Sequence, residues 1–167
     1  MLNKLVGDAA GNLLRRTIAA GTPRNPAIIL GRLDMNKGTF TVSTTQRMEF
    51  VDITASLEKA ISGSSGDYGL CCVYNPHTTA GLTINEGADP AVQDDIISVL
   101  NKLIPSNRNH PYKHMEGNSP AHVMASLMGS SVTVFLENGR LKLGTWQRIF
   151  FCEFDGPRTR KVHWRLV

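Results

Sequence analysis

Residues 146–166 read WQRIFFCEFDGPRTRKVHWRL, and this stretch decides the fold. Apolar side chains occupy both faces of its first half, which predicts a central strand; one of these faces carries Trp146, Phe150, Cys152 and Phe154, and the other carries Ile149 and Phe151. The second half alternates: Val162, Trp164 and Leu166 face a core, and Lys161, His163 and Arg165 face outward. Two such strands in succession favour an antiparallel sheet.

Glu153 is an acidic residue in the middle of this apolar strand. A buried carboxylate needs a partner, because removing an unpaired charge from water is costly. The sequence offers Arg148 and Arg158 as candidates for an ion pair with Glu153.

The elements predicted in the rest of the chain complete a mainly antiparallel α+β fold with two principal helices. Residues 38–50, 68–74 and 79–84 are predicted strands, and a short helix should begin near Asp52 or Thr54 and end at Ile61. Asp89-Pro90 and Ser119-Pro120 both have the cap-and-proline pattern of a helix start. Gly129 should end the second of these helices, and Asn138-Gly139 predicts a tight hairpin turn.

The composition is that of an ordinary globular protein, with 167 residues, 41% hydrophobic and 19% charged. No apolar run approaches the roughly 20 residues of a membrane span, so we expect no membrane partner. The net charge is +4, and the end of the chain is basic, with Arg158, Arg160, Lys161 and Arg165. Such a cluster is either a solvated face or a site for phosphate or an acidic partner. We expect no nucleic-acid partner, since no binding motif accompanies the charge.

The three cysteines are an odd number, which disfavours a disulfide framework and favours reduced thiols in a cytoplasmic protein. Residues 1–37 form a separate N-terminal extension, for which we predict a short amphipathic helix followed by a linker around residues 21–26. The main domain is predicted to cover residues 38–167.

Four of the five histidines lie between residues 77 and 122; they are His77, His110, His114 and His122. Imidazoles gathered from separate loops can hold a metal that keeps one position open for chemistry. The alternative is a set of unrelated loop histidines, each hydrogen-bonded to backbone. His110 could replace one of the other three as a ligand.

Carboxylates and a helix start accompany these histidines. Glu86 and Glu116 could each serve as a ligand, as a general base or as a partner that orients an imidazole, although a solvated turn residue is the simpler interpretation of Glu116. If Ser119 caps its helix, His122 lies in the first turn, where free backbone N–H groups favour a phosphate or carboxylate.

Several motifs in register resemble the YjbQ-like family, whose members are described as secondary thiamine-phosphate synthase enzymes. They are Pro76–Gly81, Asn85-Glu86, Ala88–Pro90, His114–Asn118, Ala121-His122, Leu143–Gln147 and Cys152–Arg158. The resemblance covers residues 38–167. It implies a sheet-rich pseudo-barrel packed with helices, a homotrimer with sites near subunit boundaries, and a divalent metal held by His77, His114 and His122.

The resemblance also implies an activity: a pyrimidine methyl pyrophosphate and a thiazole phosphate would give thiamine phosphate and pyrophosphate. Glu86 and Asn118 are the candidate catalytic residues; Thr78, Thr79, Arg148 and Arg158 are the candidate contacts to a phosphorylated substrate. Mg²⁺ usually neutralises a leaving pyrophosphate, whereas three imidazoles favour Zn²⁺. A zinc-dependent hydrolase and a non-catalytic trimeric module for an anionic ligand are therefore the alternatives.

Overall fold

A computed structural model of the chain describes residues 36–64, 67–105 and 110–167. All of them belong to the second of two units, Leu33–Val167. The helix and linker predicted for residues 1–37 therefore lie almost entirely outside the described residues. Within the described ranges, no helix is long and apolar enough to cross a membrane.

The described chain forms eight strands and three helices. In chain order these are β1 (Lys37–Ser43), β2 (Glu49–Asp52), α1 (Thr54–Ile61), β3 (Leu70–Tyr74), β4 (Ala80–Glu86), α2 (Ala91–Leu103), α3 (Ser119–Met128), β5 (Ser131–Glu137), β6 (Arg140–Leu141), β7 (Gln147–Glu153) and β8 (Thr159–Leu166). The strands form a five-stranded sheet, β1-β8-β3-β5-β6, and a three-stranded sheet, β2-β7-β4, in which neighbours are antiparallel. The predicted α+β class is confirmed, with a curled half-barrel sheet.

Strand β7 is central, as its two apolar faces predicted. It lies between β2 and β4, and its residues from Ile149 to Glu153 are all buried. Trp146 does not share this burial: it precedes the strand and is 63% exposed. The assignment of Trp146 to the buried face was wrong because the strand begins only at Gln147.

The predicted strand over residues 38–50 is two strands separated by a turn. Thr44 leaves β1 and turns inward, where its backbone N–H donates to the carbonyl of Arg158 at 2.9 Å. The Glu49 carboxylate then accepts the backbone N–H of Gln46 at 2.9 Å and closes the turn. The contacts of Thr44 with the distant Arg158, through its backbone and its hydroxyl, therefore break the strand, and periodicity does not reveal them.

The helix starts agree closely with their sequence signals. The Asp89 carboxylate accepts the backbone N–H of Ala91 at 2.9 Å, where α2 begins. The Asn138-Gly139 turn has positive φ angles of 52° and 73° and joins β5 to β6, as predicted. At α3, Asn118 and not Ser119 occupies the cap position, and Gly129 ends the helix with φ 90°.

The apolar faces of α2 and α3 are only partly covered. Helix α2 has no buried residue, and its Val99 and Leu103 are 51% and 70% exposed. On α3, Met124 is buried, whereas Leu127 is 68% exposed. The prediction that α3 is largely buried therefore holds for one of its faces only.

Glu153 does form an ion pair, but with Arg160. The two side chains are buried, and the guanidinium donates to both carboxylate oxygens, at 2.7 and 2.5 Å. The candidate partners Arg148 and Arg158 were wrong. Arg148 lies an odd number of residues before Glu153 on β7 and so points to the other face, and Arg158 lies in the exposed turn.

We predict that Arg160→Met lowers the free energy of unfolding by about 3–5 kcal/mol, because it leaves the buried Glu153 charge without its partner. The matched control is Lys142→Met, which breaks an ion pair whose two side chains are 57% and 58% exposed. That change should cost less than about 1 kcal/mol. Urea unfolding of both variants is the measurement, and equal costs would contradict the assigned role of the buried pair.

Candidate functional site

A cavity of about 570 Å³ opens between the loop that follows β3 and one side of α3. Its lining comprises Tyr74, Asn75, Pro76, His77, Thr78, Ala80, His122, Ala125, Ser126, Gly129 and Ser130. The volume lies in the range of small-molecule sites. It brings two of the predicted histidines, His77 and His122, into one cavity although they are far apart in sequence.

Asn75 shapes the loop that carries His77. Its side chain is buried; its carbonyl oxygen accepts the backbone N–H of His77 at 2.9 Å, and its amide donates to the carbonyl of Ala80 at 2.6 Å. A short polar side chain that bonds its own backbone two residues on is the usual way to stabilise such a turn. The loop is therefore closed by Asn75 before any ligand binds.

The two threonines of the loop have different surroundings. Thr78 is exposed and lines the cavity, where it can contact a ligand. Thr79 is buried, and its hydroxyl accepts a hydrogen bond from the Arg160 guanidinium at 2.9 Å. Thr79 therefore connects the loop to the buried ion pair, and its predicted contact to substrate stays a prediction.

The imidazole of His77 has a backbone partner. Its Nε2 accepts the N–H of Lys161 at 2.9 Å. Burial lowers the pKa of His77 below its ordinary value, and the nearby Arg160 cation lowers it further, so the ring is neutral near pH 7. A neutral imidazole has one lone pair and one N–H, and here Nδ1 keeps the proton as a donor.

His122 and His114 form an imidazole pair at the start of α3. Their ring centroids are 5.2 Å apart and the rings are nearly perpendicular, at 88°. Among the described residues, the Nε2 atom of His122 is one of the few buried polar atoms without a hydrogen-bond partner. His114 is more exposed, and its Nε2 lies 3.6 Å from the Glu116 carboxylate. Since buried polar groups are normally satisfied, the Nε2 of His122 is a candidate to pair with a ligand.

Asn118 lies one helical turn before His122 and belongs to a polar network. Its amide donates to Asp155 at 3.2 Å, and Asp155 also accepts from Arg158 at 2.7 Å. Burial alone would raise the pKa of Asp155, but the hydrogen bonds from Arg158 and Asn118 outweigh it and lower the pKa below its usual value. The amide oxygen of Asn118 is buried and without a partner in the described structure. The amide oxygen of Asn118 can therefore accept a further hydrogen bond. The Arg158 guanidinium already donates two of its N–H groups to Asp155.

The predicted three-histidine metal site fits this arrangement in part. His114 and His122 are adjacent, and an imidazole nitrogen without a partner is a suitable ligand for a transition ion. His77 does not fit as it is oriented, because its only lone pair already accepts the Lys161 N–H. Within residues 36–64, 67–105 and 110–167, no three His, Cys, Asp or Glu side chains are grouped as a metal site. His110 packs against Tyr112, with 4.2 Å between the ring centroids and the rings tilted by 54°, and does not line the cavity.

Glu86 and Arg148 lie far from this cavity within one chain. Ala80, at the start of β4, lines the cavity, whereas Glu86 ends the same strand. Six residue steps of an extended strand separate them by about 20 Å. Arg148 pairs in register with Asn85, at the same far end. The structure does not bring these predicted site residues to His77, and their roles stay predictions.

Two residues that shape the site were missed by the sequence reasoning. Arg160 shares the parity of the inward residues Val162 and Trp164, so the alternation of β8 already placed it on the buried face. The Asn75-Pro76 dipeptide is a turn signal. Both signals were present, but neither revealed which distant group each side chain would meet.

Comparison with known proteins identifies the family of the chain. Residues 38–167 match the family model described as UPF0047 protein YjbQ-like. A UPF0047 protein of Methanocaldococcus jannaschii is 50% identical over 128 residues, which is 77% of this chain and 91% of that protein. YugU of Bacillus subtilis, also a UPF0047 protein, is 46% identical over 129 residues, which is 77% of this chain and 97% of YugU.

Solved structures show the same relationship. A YjbQ/UPF0047 protein of Clostridium acetobutylicum superposes with a TM-score of 0.73 at 51% identity, over 77% of this chain and 98% of that one. A conserved hypothetical protein of Thermus thermophilus superposes with a TM-score of 0.72 at 45% identity, over 78% and 99% of the two chains. The chain therefore belongs to the YjbQ-like UPF0047 family.

Proposed function

We propose that the cavity between the His77 loop and α3 is the site of a metal-dependent enzyme that acts on a small phosphorylated substrate. Thiamine-phosphate-synthase-like transfer is the activity to test first. The observation that carries the proposal is the buried, unpartnered Nε2 of His122 beside His114, at a cavity large enough for a small ligand. A protein does not leave such a nitrogen unsatisfied without cost, so a ligand that pairs with it is favoured.

His114 and His122 are the proposed metal ligands. A divalent ion held there would neutralise developing negative charge on a phosphate or lower the pKa of a bound water. Imidazole nitrogen favours Zn²⁺, while Mg²⁺ prefers oxygen ligands and could enter with a pyrophosphate substrate. Both proposed ligands are imidazole nitrogens, which favour Zn²⁺, and for this reason a zinc-dependent hydrolase is the second candidate.

The chain's own residues would supply the contacts to substrate and a proton donor. His77, fixed by Lys161, holds its proton on Nδ1 and can donate it in a hydrogen bond to a substrate oxygen. Thr78 offers a hydroxyl on the same loop, and Asn118 offers an acceptor at the start of α3. Arg158 does not line the cavity, but its half-exposed side chain, held by Asp155, would supply positive charge for a phosphate that extends toward Asn118.

We further propose a homotrimer with sites at subunit boundaries, which would let Glu86 take part. One chain places Glu86 about 20 Å from Ala80, so a catalytic role for Glu86 at this cavity requires a second subunit. Val99, Leu103 and Leu127 are large apolar side chains on exposed helix faces, of the kind that association covers. Arg148, beside Glu86 in register, would enter the same shared site.

The activity is tested with the pyrimidine methyl pyrophosphate and the thiazole phosphate. We expect thiamine phosphate and pyrophosphate to form in equal amounts, and His122→Ala to abolish both products. Lys59→Ala, a change on the exposed side of α1, is the control that should leave the rate unchanged. Hydrolysis of a phosphorylated substrate without transfer would favour the hydrolase; if the purified protein binds and converts neither substrate, the proposed function fails.

The metal content of single variants distinguishes the roles of His77, His114 and His122. We expect one divalent ion per chain in the wild type and loss of most of it in His114→Ala and in His122→Ala. His77→Ala should keep the metal, because the His77 lone pair is bound to Lys161. Elemental analysis after dialysis is the measurement, with His163→Ala as the matched control. Loss of metal in His77→Ala would instead support the triad implied by the resemblance, and full occupancy in all variants would remove the site.

Mixed trimers test the shared site. His122→Ala and Glu86→Gln should each be inactive alone. If His122 and Glu86 act together across a boundary, refolding a 1:1 mixture should restore on the order of a quarter of the wild-type activity, because random assembly joins two intact halves at that frequency. Light scattering should show a trimer mass before and after mixing. No recovery in trimers of confirmed mixed composition would contradict a shared site.

A further inference from the structure

Tyr74 is the last residue of β3 and lines the His77 cavity, but the function proposed above gives it no role. Its side chain is 50% exposed. Among the described residues that line the cavity, it is the only Phe, Tyr or Trp. An aromatic ring that is half in solvent at a ligand site has apolar surface that a ligand can cover. The Tyr74 ring is therefore a candidate contact for substrate.

The two neighbouring strands on one side hold the Tyr74 ring in place. In the register of the sheet, His163 of β8 lies opposite Tyr74, and Thr39 of β1 lies opposite His163. The Tyr74 and His163 rings are nearly parallel, at 23° with centroids 6.3 Å apart. The His163 Nδ1 lies 2.7 Å from the Thr39 hydroxyl, which fixes the orientation of the imidazole. A ring that is already oriented loses little conformational freedom when a ligand packs on it.

The other face of the Tyr74 ring is open. On that side its neighbour in the register is Ser131 of β5, whose side chain is too small to cover a ring. His163 lines a neighbouring groove and not the cavity, whereas Ser130, next to Ser131, lines the cavity. The ring face that points away from His163 is therefore the face toward the cavity.

The open ring and the proposed metal lie at different ends of the cavity. His122 is in the first turn of α3, whereas Ser131, the neighbour of Tyr74, comes just after the end of that helix. The stretch of α3 from His122 to Gly129 is about 10 Å long. A substrate that spans the cavity therefore meets a cation at one end and a flat aromatic face at the other.

We propose that Tyr74 is a specificity residue of this cavity: it stacks on a planar ring of the substrate and favours such a ring over a saturated group of the same size. A flat ring can cover the open Tyr74 face closely, whereas a puckered ring touches it at fewer atoms. This inference rests on the function proposed above, because it places the phosphate end of the substrate near His122.

The test measures, by calorimetry on the purified full chain, the binding of three probes that differ in one group. They are benzyl pyrophosphate, cyclohexylmethyl pyrophosphate, which has a puckered ring of similar size, and methyl pyrophosphate, which has no ring. We expect the wild type to bind the benzyl probe at least about fivefold more tightly than the methyl probe, with the cyclohexylmethyl probe in between.

Variants assign this preference to one side chain. In Tyr74→Ala the preference for the benzyl over the methyl probe should fall below about twofold, while the affinity for the methyl probe changes less than about twofold. Tyr74→Phe keeps the ring and should keep the preference. Phe135→Ala is the matched control, because it removes a 69% exposed aromatic side chain from β5, outside the cavity. The preference in this control should equal that of the wild type.

Several results would overturn the proposal. Equal affinities for the benzyl and cyclohexylmethyl probes would show that flatness is not selected. An unchanged preference in Tyr74→Ala, or an equal loss in Phe135→Ala, would remove the ring contact from Tyr74. Equal weakening of all three probes in Tyr74→Ala would assign Tyr74 a structural role only, and no binding of any probe up to millimolar concentration would reject the contact outright.

The activity assay is read separately from these affinities. A preference that depends on Tyr74, in a protein that forms no product, would support the ring contact and reject the proposed function. Product formation that is lost in His122→Ala, in a protein without a ring preference, would support the function and reject the role of Tyr74.

Discussion

The buried carboxylate of Glu153 is the constraint on which the rest of the structure depends. Arg160 donates to both of its oxygens, the Thr44 hydroxyl donates to one of them, and the backbone N–H groups of Phe154 and Asp155 complete its surroundings. A charge in the centre of a protein is tolerated only with this degree of satisfaction. Its partners come from Thr44 directly after β1, from the turn after β7 and from β8, so this one carboxylate links the two sheets.

The same pair positions the candidate site. The Arg160 guanidinium also holds the Thr79 hydroxyl, and the next residue, Lys161, gives its backbone N–H to His77. Adjacent residues of one strand thus fix the middle and the end of the His77 loop. From the other side, a Cβ on Gly81 would lie 2.7 Å from that of Met128, so α3 can approach β4 this closely only because residue 81 is glycine. The cavity lies between the His77 loop and α3, which these contacts hold in place.

The sequence predicted what depends on local patterns. The two faces of β7, the alternation of β8, the Asn138-Gly139 hairpin and the start of α2 directly after Asp89-Pro90 were all recognisable. What it did not predict were pairings between distant residues. The partner of Glu153 was taken from nearby arginines, although strand parity pointed to Arg160. The bond between Lys161 and His77 joins residues 84 positions apart, and no periodicity encodes it.

The two ends of β4 lie beside different candidate site residues. At one end, Ala80 lines the cavity with His77 and His122; at the other, Glu86 lies in register with Gln147, next to Arg148. A strand is rigid and extended, so no loop movement within the subunit can bring the carboxylate to the imidazoles. His77 and His122 line one cavity within a single chain, and Glu86 does not line it. A reaction that used both Glu86 and these imidazoles would therefore need the proposed trimer, which could cover the exposed apolar side chains of α2 and α3.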